Sequence, residues 1–188
     1  MENSIKLLDG SMSYPLELDG YNLNNRLWTG DALINNPEII KKIHKGYINS
    51  GADYLLTSTY QISYDILREK GINSEKIKEV FQKSLDLAKK AIIESKTKKD
   101  IKIVASLGPF ASYKKSASEY IGIYDSTDDE IYNFHSNNLN VIKGIDYEIV
   151  LYETIPCLRE IKILSKYDKK NSAAFERSKR HGETKGRE

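Results

Sequence analysis

The chain has 188 residues, of which 39% are hydrophobic and 30% charged, a balance typical of a soluble globular protein with one core. The formal net charge of +2, without a run of like charges in the body of the chain, predicts neither a nucleic-acid partner nor a membrane surface. The sequence shows no membrane span and no signal-peptide pattern, and its single cysteine, Cys157, excludes an internal disulfide, so we expect a cytoplasmic protein.

Four short apolar runs recur at a regular interval and predict four buried strands. They begin at residues 5, 53, 101 and 148, so successive starts lie 48, 48 and 47 residues apart. Each run is rich in Ile, Val, Leu or Tyr and stops at or shortly before turn residues, as buried strands do. The predicted strands cover residues 5–8, 53–57, 101–105 and 148–152.

Amphipathic helical patterns fill the intervals between these runs. Asn36-Pro37 predicts an N-cap followed by proline at the first helical position, and Gly51 lies where that helix is expected to end. Ser74 is predicted to cap a second long helix. Thr127 and Glu130 predict a capping box for a third, and a last helical pattern follows the fourth strand.

Strands that alternate with helices predict βαβ units and a parallel sheet. The chain shows four strands, each followed by a helix. A complete (β/α)₈ barrel of the TIM type needs eight such units and about 250 residues. The sequence therefore predicts an α/β protein with the first four βα units of such a barrel, although a four-stranded open sheet is also possible.

Residues 166–188 form a basic tail in which the sequence shows no strand or helix period. The first 176 residues contain three arginines, and the last 12 contain three more. One interpretation is a solvated, disordered C-terminus. The other, which we favour, is a truncation or an out-of-frame tail, so that the domain covers residues 1–165.

Polar residues follow all four predicted strands, and two of these ends carry a carboxylate, Asp9 and Glu153. Ligands of parallel α/β folds bind at the carboxyl ends of the strands, so the two carboxylates are expected to share one mouth. They suit a substrate with an ammonium group, or an acid/base pair for sugar chemistry. The structural alternative is that Asp9 caps a turn and Glu153 pairs with a lysine. Gly10 and Gly108 permit close backbone approach.

A metal site is not predicted from the residues themselves. Zinc needs three or four Cys, His or carboxylate ligands. His44 and His135 lie in helices expected on the outer layer, and His181 lies in the tail. None of them forms a ligand spacing with Cys157, which is expected to be a small residue at the start of the last helix. Trp28 is expected to pack in the core or a lid rather than to form a substrate wall.

The ordered motifs at the strand ends resemble the homocysteine S-methyltransferase family. The similarity runs from residue 5 to about residue 165 and, taken together, is specific. The matching segments are Leu7-Leu8-Asp9-Gly10-Ser11-Met12, Leu27-Trp28, Asn36-Pro37-Glu38, Gly51-Ala52, Thr57-Ser58-Thr59-Tyr60-Gln61, Leu107-Gly108-Pro109-Phe110, Ser118-Glu119-Tyr120-Ile121-Gly122 and Glu153-Thr154-Ile155-Pro156.

The resemblance implies a (β/α)₈ barrel that transfers a methyl group from S-methylmethionine, or a similar donor, to L-homocysteine and forms methionine. It implies zinc, held by three cysteines, that binds the homocysteine sulfur as a thiolate. At the matching positions it implies substrate-binding roles. Asp9 and Glu153 would hold the homocysteine amino group, Gly10 would lie against the substrate, and Tyr60 would lie near it.

The chain departs from this family at the metal. The family's zinc cysteines lie in the second half of the barrel, and Cys157 matches none of them. We therefore assign no catalytic or metal-binding residue, and we expect the chain alone to be inactive and unstable. Two alternatives remain. One is a non-enzymatic half-barrel that assembles with another chain, and the other is a carboxylate-pair hydrolase. The oligomeric state is open.

Overall fold

The computed structural model describes residues 5–114 and 121–166, together with the backbone of residues 173–175. The strands are β1 (Tyr54–Leu56), β2 (Lys102–Leu107), β3 (Ile149–Tyr152) and β4 (Ala173–Phe175). The helices are α1 (Ser13–Leu18), α2 (Thr29–Asn35), α3 (Pro37–Asn49), α4 (Tyr64–Glu69), α5 (Ser74–Ser95), α6 (Phe110–Tyr113), α7 (Asp128–Ile142) and α8 (Leu158–Leu164). Three of the four predicted strands are confirmed as β1, β2 and β3.

The strands form one parallel sheet in the order β1-β2-β3-β4, so the prediction of an α/β protein with a parallel sheet is confirmed. The long helices pack on one another, α3 against α5 and α5 against α7. Leu55 of β1 and the α5 residues Ile77 and Phe81 are fully buried in the resulting core. Parallel connections bring the carboxyl ends of the strands to one edge, where the polar loops meet.

The first predicted strand, residues 5–8, is not a buried strand, and this prediction is wrong. Its ladder is a single parallel bridge between Leu8 and Tyr54. The Leu7 N–H donates to the Asp53 carboxylate at 2.9 Å. This side chain replaces the backbone carbonyl that would accept from Leu7 in a longer ladder. Leu7 and Leu8 remain 50% and 45% exposed.

Helix termini follow the predicted pattern with two corrections. The N-cap of α5 is Asn73, whose side chain accepts from the Lys76 N–H at 2.9 Å, and Ser74 is the first helical residue. The residue before α3, Asn36, makes no side-chain capping bond. The capping box of Thr127 and Glu130 at α7 is confirmed.

The tail contains a strand where the sequence shows no strand period. Ala173–Phe175 pair in parallel with residues 150–152 of β3. Sheet pairing depends more on a partner strand than on local propensity, which explains why the sequence pattern gave no signal. No helix among the described residues is long and apolar enough to cross a membrane.

His44 lies in the apolar core and not on the protein surface. It is fully buried in α3, between the core residues Ile40 and Ile48, and neither ring nitrogen has a hydrogen-bond partner within the described part of the chain. Burial lowers its pKa from 6.5 to about 4. The folded chain therefore keeps His44 neutral over a pH range in which the unfolded chain binds a proton.

We expect His44 to make the fold acid-sensitive. Stability falls as the pH drops from about 6.5 to about 4, by roughly 3 kcal/mol at most, because only the unfolded state gains the proton there. His44→Leu should remove this component, measured as urea unfolding at pH 4.5 and pH 7.5. Lys42→Gln on the exposed side of α3 is the control, and equal pH dependence in both variants would contradict the assignment.

Candidate functional site

A cavity of about 410 Å³ opens at the carboxyl ends of the strands. All four residues predicted to bind substrate, Asp9, Gly10, Tyr60 and Glu153, line it. The structure thus brings together side chains that are up to 144 positions apart in sequence, from Asp9 to Glu153. Placement alone does not test binding, so their substrate roles stay predictions.

Asp9 is a strongly perturbed acid of the cavity. The pKa of Asp9 is raised from 3.8 to about 7, chiefly by burial. The Leu56 N–H, which donates to Oδ2 at 3.0 Å, opposes this shift, and the charge of Glu153 adds to it. The other oxygen, Oδ1, is buried and has no hydrogen-bond partner among the described residues. Asp9 therefore offers a free acceptor and gains from any cation that enters the cavity.

Glu153 is tied to β2 by its backbone and by its side chain. Its N–H donates to the Leu107 carbonyl at 3.1 Å, and its carboxylate accepts from the Ser106 hydroxyl. Ser106 is in turn bonded to Thr57 and Thr59, which follow β1. Sequence reasoning noted these three residues only as polar strand ends, because the bonds among them depend on the register of β1 and β2.

Two residues with unfavourable backbone conformations line the same cavity. Thr154 has φ +57° and Trp28 has φ +48°, a region that residues other than glycine seldom adopt. Such conformations cost about 1–3 kcal/mol each and concentrate at functional sites. Trp28 is 38% exposed and belongs to the cavity wall, so of its two predicted placements the core is wrong, and a place in a lid stays a prediction.

The two glycines singled out from the sequence are sites of close approach. A Cβ on Gly108 would lie 2.4 Å from the Tyr60 carbonyl oxygen, and one on Gly10 would lie 2.9 Å from the Tyr47 hydroxyl. The Tyr47 hydroxyl donates to the Ser11 carbonyl at 2.6 Å, which fixes the loop after Gly10. These contacts set the backbone of two cavity walls.

A second cluster of titratable groups, the Glu160 cluster, lies behind the loop after β2 and consists of Glu160, His135, Tyr124 and Phe110. Glu160 is fully buried and accepts from the Phe110 N–H at 2.6 Å, the Tyr124 hydroxyl at 2.6 Å and His135 Nε2 at 2.7 Å. None of the four lines the cavity. The cluster therefore serves to join α6, α7 and α8.

The described residues do not fit the zinc site that the resemblance implies. No group of three or more His, Cys, Asp or Glu in that part of the chain is placed to hold a metal. Cys157 lies at the N-cap of α8, as expected, and is not a cavity residue. His44 is enclosed in the core, His135 is bonded to Glu160, and His181 lies outside the described residues.

Comparison with known proteins gives one consistent result. The sequence profile of the homocysteine S-methyltransferase family matches residues 6–181. The homocysteine S-methyltransferase YbgG of Bacillus subtilis is 32% identical over 165 residues, which are 84% of this chain and 52% of the relative. The homocysteine S-methyltransferase of Escherichia coli is 30% identical, over 87% of this chain and 54% of the relative.

Solved structures agree with the sequence comparisons. The oxidized form of the homocysteine methyltransferase MmuM from Escherichia coli superposes with a TM-score of 0.82 at 29% identity, covering 93% of this chain and 62% of that chain. Its metallated form gives a TM-score of 0.79 at 30% identity. The chain spans about half the length of the curated relatives it matches.

Proposed function

The chain belongs to the homocysteine S-methyltransferase family, and from this premise we propose that its cavity binds the amino-acid part of L-homocysteine. The observation that carries the proposal is the pair of carboxylates, Asp9 and Glu153, on one cavity at the strand ends. A carboxylate pair forms charge-assisted bonds with an ammonium group. An ammonium group between the two would also offset their mutual repulsion, which contributes to the raised pKa of Asp9.

The other lining residues suit a small amino acid. Gly10 leaves its backbone open to the cavity, and Tyr60 offers an aromatic wall with a polar end. The cavity volume of about 410 Å³ lies within the range of small-molecule sites. We propose that Gly10 lies against the bound substrate and that Tyr60 lies beside it.

We further propose that residues 1–165 are the N-terminal half of a homocysteine-binding (β/α)₈ barrel and that the family reaction transfers a methyl group from S-methylmethionine or a similar donor. The basic segment 166–188 stays a separate tail in this proposal, although the family match and β4 extend beyond residue 165. With one cysteine in 188 residues, the chain lacks the three-cysteine zinc site implied by the resemblance, and we derive no catalytic step from its residues. The cytoplasmic location and the absence of a nucleic-acid partner stay predictions.

The test is a comparison of two ligands that differ only in the amino group. We expect L-homocysteine to bind the 188-residue chain at least about tenfold more tightly than 4-mercaptobutanoate, because a hydrogen bond to a charged group contributes about 1.5–3 kcal/mol. Isothermal titration calorimetry at pH 8 measures both affinities. Equal affinities would remove the carboxylate pair from the proposal.

A second candidate function is a half-barrel that acts by assembly with another chain. The observation in its favour is the exposed apolar segment that runs beside β1 at Ile5, Leu7 and Leu8, which are 86%, 50% and 45% exposed. Exposed strand edges pair readily with other chains. Light scattering separates the two cases, since a monomer that binds L-homocysteine favours the first.

A further inference from the structure

We propose that Ser106 is a positioning residue, whose hydroxyl holds the Glu153 carboxylate as a charged acceptor facing the cavity. This inference rests on the proposed function, because it assigns to Glu153 the role of receiving a ligand ammonium group. Ser106 would act through Glu153 and not by touching the reacting atoms. The hydrogen bond from its hydroxyl is stronger to a charged carboxylate than to the neutral acid, so it favours the charged form of Glu153.

The backbone of Ser106 is fixed by a closed ring of three hydrogen bonds. The Ser106 N–H donates to Thr57 Oγ1 at 3.0 Å, and the Thr59 hydroxyl donates to the Ser106 carbonyl at 2.7 Å. Each hydroxyl has one proton, so the 2.7 Å contact between the threonines has Thr57 as donor and Thr59 as acceptor. All three residues are at least 97% buried, and among the described residues the Ser106 hydroxyl donates to Glu153 and to no other group.

The two carboxylates of the cavity are therefore unequal. Glu153 accepts from a buried side-chain hydroxyl, whereas Asp9 accepts from the Leu56 N–H through Oδ2 and its Oδ1 has no partner among the described residues. Asp9 is faced by Glu153 from the end of β3 and by the Tyr47 hydroxyl from α3. The pKa of Tyr47 is raised, mainly by burial and in second place by the charge of Asp9. The Ser106 donor favours the charged form of Glu153, and the charge of Glu153 in turn favours the protonated form of Asp9.

The backbone after Glu153 supports the same assignment. Thr154 adopts φ +57°, which costs energy in a β-branched residue and turns the chain directly behind Glu153. The Glu153 N–H is held by the Leu107 carbonyl on the other side. A strained turn and a dedicated side-chain donor both act on one carboxylate, which is the arrangement expected where its direction matters.

The test compares Ser106→Ala with Ser106→Thr and with Ser84→Ala in the full 188-residue chain. Ser84 is a matched control, because it is also fully buried and accepts from the Ser58 N–H at 3.0 Å, but it does not line the cavity. We expect Ser106→Ala to weaken L-homocysteine binding about tenfold and Ser106→Thr to restore it. Ser84→Ala should leave binding within about twofold even if it lowers stability.

A ligand-free readout separates this inference from the proposed function. Carbon-13 spectra of the side-chain carboxyls should show Glu153 becoming protonated at higher pH in Ser106→Ala than in the unmodified chain, with no such change in Ser84→Ala. If Ser106→Ala does not fold, Ser106→Cys, which retains the size of the side chain with a weak donor, should give the same displacement. An unchanged Glu153 titration overturns the role of Ser106 whatever the ligand results, whereas a displaced titration without L-homocysteine binding supports Ser106 and contradicts the proposed function.

Discussion

Replacing Glu160 with alanine is expected to lower the free energy of unfolding by about 3–5 kcal/mol, a large part of the stability of a domain this size. The carboxylate is fully buried and accepts from Phe110, Tyr124 and His135. Alanine leaves the buried donors of Phe110 and His135 without this acceptor, removes a partner of the half-buried Tyr124 hydroxyl and opens a cavity between α7 and α8. Urea unfolding followed by circular dichroism measures the change.

Two further variants separate the Glu160 cluster from a general effect of removing a charge. Glu160→Gln retains the size of the side chain and one acceptor oxygen, so it should cost less than Glu160→Ala. Glu94→Ala removes an exposed carboxylate that pairs with Lys41 and Lys45, and such surface pairs contribute little. A loss in Glu160→Ala no larger than that in Glu94→Ala would show that the cluster does not hold these helices together.

The regular spacing of apolar runs was sufficient to predict β1, β2 and β3, because a buried parallel strand has a continuous apolar sequence. It failed for residues 5–8, where an Asp53 side chain replaces a backbone acceptor, and for β4, which forms by pairing with β3. Neither outcome depends on the composition of the segment itself. The contacts that decide them come from residues far away in the sequence.

The carboxylates of the site were predictable for a topological reason, since parallel strands bring their carboxyl ends to one edge. The hydrogen-bond partners of these carboxylates could not be predicted from the sequence, because the contact of Ser106 with Glu153 requires the register of β2 against β3. Glu160 did carry a signal that was overlooked. It lies three and four residues before the buried Ile163 and Leu164, so it falls on the apolar face of α8.

Asp9→Asn is expected to stabilise the chain at alkaline pH while it weakens ligand binding. The raised pKa of about 7 means that the folded state retains a proton that the unfolded state loses above about pH 4. Stability is therefore lost as the pH rises from about 4 to about 7, by at most about 4 kcal/mol. Asparagine removes this loss, and thermal unfolding at pH 4.5 and pH 8 measures it.

Binding should change in the opposite direction. Asp9→Asn removes one of two charges from the ammonium site, so L-homocysteine affinity at pH 8 should fall about tenfold or more. Asp19→Asn is the control, because Asp19 pairs with Lys42 at the surface and does not line the cavity.

A purely structural Asp9, bonded only to the Leu56 N–H, would give unchanged affinity for L-homocysteine in Asp9→Asn. Higher stability together with lost affinity is the result expected of a group that is retained for binding at a cost to the fold. The two measurements on a single variant therefore decide between a turn-capping aspartate and a ligand-binding one.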